Sequence, residues 1–230
     1  MQDQMADVTW REGGVPVSTR FDDPYFSLDN GLEETRHTFL AGNGLPERFR
    51  PGFHVAELGF GTGLNLLASL QAWRDSGQTG CLRFTSFEAF PMALPDMARA
   101  LAAFPELAAL AQEVLGALSG SKAEDGGRVV RLRDLEFVLV VGDARVTLPV
   151  WEGAADAWYL DGFAPARNPE LWSPGLMAAV AARTAPGGTA ASYTAAGHVR
   201  RALAAAGFDV ARRAGFGRKR HMTIARIAEG

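Results

Sequence analysis

Three glycines and four acids have the types and spacing to do chemistry. Gly59, Gly61 and Gly63 occupy every second position after an apolar run at 53–58, and a second apolar run follows at once. Glycines here allow positive φ and a close approach of ligand to backbone. The pattern G-x-G-x-G is one residue short of the dinucleotide fingerprint, and no Gly-Lys-Ser/Thr follows to make a phosphate loop. Glu57 precedes the turn. A carboxylate there would repel a pyrophosphate and suits a cationic ligand, such as the amino group of a methionine moiety. Glu88 closes the apolar run 82–88, where a carboxylate accepts hydrogen bonds from both ribose hydroxyls. Asp143 closes the run 136–144, where it could accept from an adenine amino group. Taken together these residues point to S-adenosylmethionine. The plainer reading of Glu88 or Asp143 taken singly is a helix N-cap.

The fourth acid opens a second constellation. "YLDGFAPARNPELW" (159–172) places Asp161, a glycine, Phe163 and two prolines in a stiff, non-helical stretch after a strand. In methyltransferases that act on amino nitrogens, this position carries a short polar-Pro-Pro-aromatic motif beside the methyl group. Asp161 and Phe163 are the candidates for those parts. The plainer reading is a strand-to-helix loop whose aspartate caps a turn. His37, His54, His198 and His221 are scattered without ligand spacing, so no metal is expected.

The elements that must position these residues alternate. Strands are expected at 53–58, 82–88, 136–144, 155–163, 189–194 and near 208–214 and 221–227. Helices are expected at 64–74, 175–184 and 196–207. Alternation of this kind argues for an open, mostly parallel α/β sheet with helices on both faces. The acids then fall at carboxyl ends of parallel strands, where such sheets bind ligands. The stretch 92–133 exceeds one crossover and reads as a helical insertion. Residues 1–50 read as an N-terminal extension with its own helix, whose Asn30 and Glu33 have capping-box spacing. Residues 51–230 form the main body, and no linker splits the chain, so one structural domain is expected. "PGG" (186–188) reads as a helix stop.

Bulk composition excludes several classes. The chain has 230 residues, 47% apolar and 21% charged, enough for a full core. A single cysteine, Cys81, rules out an internal disulfide, and nothing opposes a reducing cytoplasm. The start "MQDQMADVTW" has neither a basic end nor an apolar core, so no signal peptide is expected. No apolar run approaches the ~20 residues of a membrane helix. Charge is uneven: from His198 onward there are eight Lys/Arg against two Asp/Glu, although the whole chain carries −3. That asymmetry hints at an anionic partner near the C-terminus; the bland alternative is a solvated face.

"FDDPYFSLDNGLEETRHTFLAGN" (21–43), "ELGFGTGLN" (57–65), "SFEAFP" (86–91), "WYLDGFAPARNPELW" (158–172) and "GFGRKRHM" (215–222) resemble one family closely. It is the methyltransferase half of the bifunctional enzyme that completes 5-methylaminomethyl-2-thiouridine at the tRNA wobble position. The resemblance runs from about Trp10 to Arg226. It implies a Rossmann-like class I fold with a seven-stranded sheet, cytoplasmic location, and S-adenosylmethionine as cofactor. The sites it implies are Glu57, Gly59, Gly61, Gly63, Asn65, Glu88 and Asp143 for the cofactor, with Asp161 catalytic. The expected reaction moves methyl to the aminomethyl nitrogen of the uridine. In the family, a fused flavin-dependent half first removes a carboxymethyl group. This chain has no dinucleotide fingerprint after Gly63, so no flavin is expected, and that step would fall to a separate oxidoreductase. A stand-alone enzyme and an excised domain both remain open, and a monomer is expected.

The same resemblance suggests roles for the remaining candidates. Tyr25 or Phe163 could stack on a splayed uracil; both could equally be core aromatics. Arg218, Lys219 and Arg220, with Arg200, Arg201, Arg212 and Arg213, would contact phosphates of an anticodon stem-loop. Three competing readings stay on the table. A small-molecule amine methyltransferase is disfavoured by the basic tail. A nicotinamide oxidoreductase is disfavoured by the glycine spacing and Glu57. A silent RNA-binding module is disfavoured by the complete set of acids.

Overall fold

The computed structural model describes residues 5–27, 30–121, 123, 124 and 127–228. Strands β1 (Val8–Trp10), β2 (Pro16–Ser18) and β3 (Asp23–Pro24) form a small antiparallel sheet in the N-terminal extension. Helix α1 (Gly31–Thr35) follows and runs on through a wider turn at Arg36–Leu40 and a tight one at Ala41–Asn43. Asn30 caps α1, its side-chain oxygen accepting from the Glu33 N–H at 3.0 Å. The reciprocal half of a capping box is replaced, because the Glu33 carboxylate pairs with Arg36 instead.

The main sheet then builds by alternation: β4 (His54–Leu58), α2 (Leu64–Asp75), β5 (Leu82–Glu88), α3 (Leu94–Leu101), α4 (Ala108–Gly120), β6 (Ala123–Glu124), β7 (Gly127–Arg131), β8 (Leu135–Val141), α5 (Ala144–Val150), β9 (Ala155–Leu160), α6 (Pro174–Ala182), β10 (Thr184–Ser192), α7 (Gly197–Ala205), β11 (Asp209–Ala214) and β12 (His221–Arg226). Its order is β11-β12-β10-β9-β4-β5-β8-β7-β6. Neighbours from β10 to β8 are parallel, while β12 runs antiparallel to β10 and to β11. These seven strands are the expected sheet. The insertion adds two more, because Ala123–Glu124 and Gly127–Arg131 form β6 and the antiparallel β7 rather than helix.

The strands are apolar on both faces because both faces are covered. Ala157 and Tyr159 of β9 pack in one cluster with α2, while Trp158 and Leu160 pack in the other with α6 and α7. Two strand ends differ from the sequence expectation. Strands β8 and β9 stop at Val141 and Leu160, so Asp143 and Asp161 stand in the loops just beyond. "PGG" lies inside β10, at a register break between Thr184 and Thr189, rather than at a helix stop. Among the described residues no helix is long and apolar enough to cross a membrane.

Strand order reverses at β4: chain order leads from β4 outward through β5 to β8, then returns to β9 on the other side. A crevice opens at the carboxyl ends of strands at such a switch point. The sheet therefore brings the turn after β4, the end of β5 and the loop after β9 together.

Candidate active site

The turn after β4 is shaped by its neighbours. Gly59 has φ +88°, and a Cβ there would come within 2.8 Å of the Asp161 carbonyl oxygen. Gly61 has φ +54°, and its Cβ would press on the Tyr25 ring at 3.2 Å. A side chain at either position would have to displace the loop after β9 or the N-terminal extension. Gly63 forms the N-cap of α2 without a side-chain bond.

Asn65, on the first turn of α2, organises the acids. Its Nδ2 donates to Glu57 Oε1 and to Asp161 Oδ2, both at 2.8 Å. Its Oδ1 accepts from the Thr35 hydroxyl at 2.9 Å, which sets the orientation of the amide. Glu57 is fully enclosed, and its second oxygen accepts from Ser86 at 2.7 Å. Burial holds its pKa well above the ordinary carboxylate range. The expectation that Glu57 receives a cationic amino group is therefore corrected. Both oxygens are hydrogen-bonded and none is exposed, so its link to Asp161 runs through Asn65.

Asp161 stays half-buried at the loop entrance. The Gly162 N–H donates to its Oδ1 at 2.9 Å. Burial pushes its pKa up to about 6, against the opposing hydrogen bonds of Asn65 and Gly162 and the nearby charge of Lys219. The loop behind it is pinned: the Ala164 N–H donates to Asp23 at 2.7 Å and the Trp172 ring N–H to the Phe163 carbonyl at 3.0 Å.

Glu88, at the end of β5, accepts from the Gly61 N–H at 3.1 Å and the Phe90 N–H at 2.8 Å. Burial raises its pKa too. It lines a cavity of about 390 Å³ whose opposite wall is the N-terminal extension. Phe163 lines the same cavity, stacked on Phe21 at 4.7 Å and edge-on to Tyr25 at 5.1 Å. Arg20 covers Phe90 at 4.3 Å. Tyr25 and Phe163 are thus wall residues rather than deep core. Ser18, Thr19, Arg20 and Phe21 were not singled out from the sequence; three short strands give no periodic signal, and only the unusual motif at 21–43 touched this region.

Asp143 does otherwise. It caps α5, accepting from the Arg145 N–H at 2.9 Å, and both its oxygens also pair with the Arg145 guanidinium. That pairing lowers its pKa. An adenine amino group would have to share or displace Arg145, so the plainer reading as a helix cap describes its observed contacts.

The basic turn between β11 and β12 divides in two. Arg218 and Arg220 are exposed, and their guanidinium groups have no partner among the described residues. Lys219 is exposed as well, but its ammonium pairs with Glu34 of α1 and lies 4.3 Å over the Tyr193 ring. It differs from the two arginines with which it is grouped as a phosphate contact in that its ammonium already has a carboxylate partner. Glu34 and Tyr193 were also missed, because nothing local in sequence links positions 34, 193 and 219. Among the described residues no group of three or more His, Cys, Asp or Glu side chains could hold a metal ion.

Comparison with known proteins gives this geometry a family. The chain is 50% identical over 218 residues to the tRNA 5-methylaminomethyl-2-thiouridine biosynthesis bifunctional protein MnmC of Caulobacter vibrioides, covering 93% of this chain and 36% of that protein. The protein of the same name from Ectopseudomonas mendocina is 45% identical, over 94% of this chain and 34% of its own length. The chain thus spans about a third of the length of these relatives. A crystal structure of MnmC2 from Aquifex aeolicus shares the fold, with a TM-score of 0.75 at 24% identity, covering 97% of this chain and 71% of that one. A family model described as S-adenosyl-L-methionine-dependent methyltransferase matches residues 105–228, more than half of the chain. With the glycine turn and the strand-end acids at one crevice, the chain belongs to that family of S-adenosyl-L-methionine-dependent methyltransferases.

Proposed function

We propose that the chain methylates the primary amine of 5-aminomethyl-2-thiouridine at the tRNA wobble position. The observation that carries this reading is Asp161, a carboxylate held by Asn65 and Gly162 at the crevice mouth beside the glycine turn. The names of the relatives support the choice of substrate.

The residues present fit the cofactor. Gly59 and Gly61 take the positive φ that a tight turn at a strand end needs, and Glu88 offers a carboxylate to the cavity beside it. Glu88 would hold the ribose, Gly59, Gly61 and Gly63 would let the backbone approach, and Asn65 would fix the crevice floor. Asp143, at the rim, is the weakest of the set, given its bonds to Arg145. S-adenosylmethionine supplies an electrophilic methyl group on a sulfonium.

The chain's own residues do the rest. As the amine nitrogen forms its new bond to the methyl carbon, the carbon–sulfur bond would break and the sulfur would leave as a neutral thioether; the nitrogen becomes positive, and Asp161 stabilises that charge. Asp161 is not simply a base. A carboxylate beside an amine also raises the amine's pKa and reduces the free nucleophile. Its benefit comes from orientation and from the transition state. Once the bond has formed, the extra ammonium proton leaves to Asp161 or to water. Tyr25 and Phe163 form the aromatic wall for the base, and Arg218 and Arg220 meet phosphates of the anticodon stem-loop.

The test is methyl transfer to unfractionated tRNA from cells lacking the modification, read by nucleoside mass spectrometry. The expected product is 5-methylaminomethyl-2-thiouridine, with the carboxymethylaminomethyl form left untouched for a separate oxidoreductase. Methylation of small amines in place of tRNA would overturn the substrate assignment.

A further inference from the structure

Lys219 stands between two exposed arginines and is itself exposed along its stem, yet its ammonium reaches back to a carboxylate of the protein. It pairs with Glu34, which is only 9% exposed, and lies on the face of Tyr193. Tyr193 donates its hydroxyl proton to the Gly162 carbonyl at 2.7 Å, and the Gly162 N–H donates to Asp161. A short run of direct contacts therefore joins the basic turn to the loop that carries Asp161. A lysine serving only as a phosphate contact would have no reason to take a buried carboxylate as partner.

The charges around Asp161 come from four elements. Glu57 faces it from β4, Glu34 from α1, Tyr193 from the segment after β10, and Lys219 from the β11–β12 turn. Burial holds Glu57 toward its neutral form and Tyr193 far from ionisation. Glu34 and Lys219 offset one another. We propose that Lys219 is a positioning residue of the methyl-transfer site: by cancelling Glu34, it leaves Asp161 as the one uncompensated charge facing the incoming amine. This rests on the reading of Asp161 given above. Without Lys219, Glu34 and Asp161 would stand as two carboxylates near one another, which holds a proton on one of them and binds the substrate amine more firmly as an ammonium.

The test uses the full chain and four variants: Lys219→Gln, Glu34→Gln, the double variant, and Lys219→Arg. The first readout is the titration of Asp161 by carboxyl-carbon NMR, assigned by difference from Asp161→Asn. Lys219→Gln is expected to move the midpoint up and Glu34→Gln to move it down. Each shift should be roughly half a pH unit to one unit, as for a partly exposed unit charge nearby. The double variant restores the net charge and is expected to return toward wild type, and Lys219→Arg to stay close to it. The second readout is the kcat profile on tRNA carrying the aminomethyl uridine. Its acid limb should follow the same order, with the KM for tRNA changing less than when Arg218 and Arg220 are removed. A purely structural ion pair would move both single variants in the same direction, or neither, and either result in folded protein overturns the proposal. If wild type fails to methylate tRNA, the substrate reading falls, while the NMR titration still decides the role of Lys219.

Discussion

Glu57, Glu88 and Asp161 lie in or beside the ends of adjacent strands, and Asp143 lies just beyond the end of β8 one strand further out. Their surroundings differ sharply. Glu57 is fully enclosed and Glu88 and Asp161 are half-buried, against α2, the glycine turn and the N-terminal extension, and burial raises all three pKa values. Asp143 sits at the rim, caps a helix and pairs with Arg145, and its pKa is lowered. Residues of like type at like positions are thus pushed in opposite directions. An enclosed carboxylate is held in a chosen place at an energetic cost, which suits binding and chemistry. A rim carboxylate with a cationic neighbour is stabilised where it stands, which suits structure. The exposed Arg218 and Arg220 extend the contrast, being rim charges with no partner among the described residues to hold them.

The largest expected effect falls on Asp161. Asp161→Ala is expected to lower kcat by about 100- to 1000-fold with cofactor and tRNA affinity retained, the size of losing one preorganised charge-stabilising group. Asp161→Asn should be less impaired. Near-normal turnover in the Ala variant would move Asp161 out of the mechanism. The same site makes a stability prediction. Its folded pKa lies above the unfolded value, so the folded chain holds the proton more tightly, and that stabilisation is lost as pH rises through about 6. Asp161→Asn removes the loss, so the variant should gain on wild type between the ordinary carboxylate range and about pH 6 in denaturant titrations.

Glu88→Ala comes next, with S-adenosylmethionine binding weakened by roughly 1–3 kcal/mol, as when hydroxyl donors lose a charged acceptor. Unchanged calorimetric affinity in folded protein would place Glu88 with the structural acids and break the contrast. Removing Arg218 and Arg220 together should weaken tRNA binding and reduce its salt slope by about 0.7–0.9 log unit per lost phosphate contact. Cofactor affinity should hold. An unchanged slope would make the two arginines a solvated surface. Asp143→Ala is expected to do least: a loss below about 1 kcal/mol of stability, typical of an exposed helix cap, with cofactor affinity nearly intact. A loss of cofactor affinity as large as that of Glu88→Ala would move Asp143 into the enclosed set.

Much of this architecture is legible in the order of residues alone. The strands at 82–88 and 53–58 and the helix after Gly63 follow from apolar runs broken by glycine, because a strand buried on both faces must be apolar throughout. The glycine turn and the acids at 57, 88 and 161 could be placed at one crevice, because strand ends of a parallel sheet converge there. The small N-terminal sheet escaped, since strands of two or three residues carry no period. So did the β6–β7 pair, which lies within a stretch dominated by helix.

By itself the sequence determined which residue types stand at which strand ends, and hence the class of ligand the crevice suits. Only the tertiary structure decided what surrounds each of them there. Enclosure of Glu57 behind Asn65 depends on contacts from β4, α2, β5 and α1 at once. The pairing of the Lys219 ammonium depends on Glu34, 185 positions away. A carboxylate's proton affinity, and whether an ammonium meets solvent or a partner, are set by burial and by charges a few ångström away. Those distances exist only after the chain has brought remote segments together.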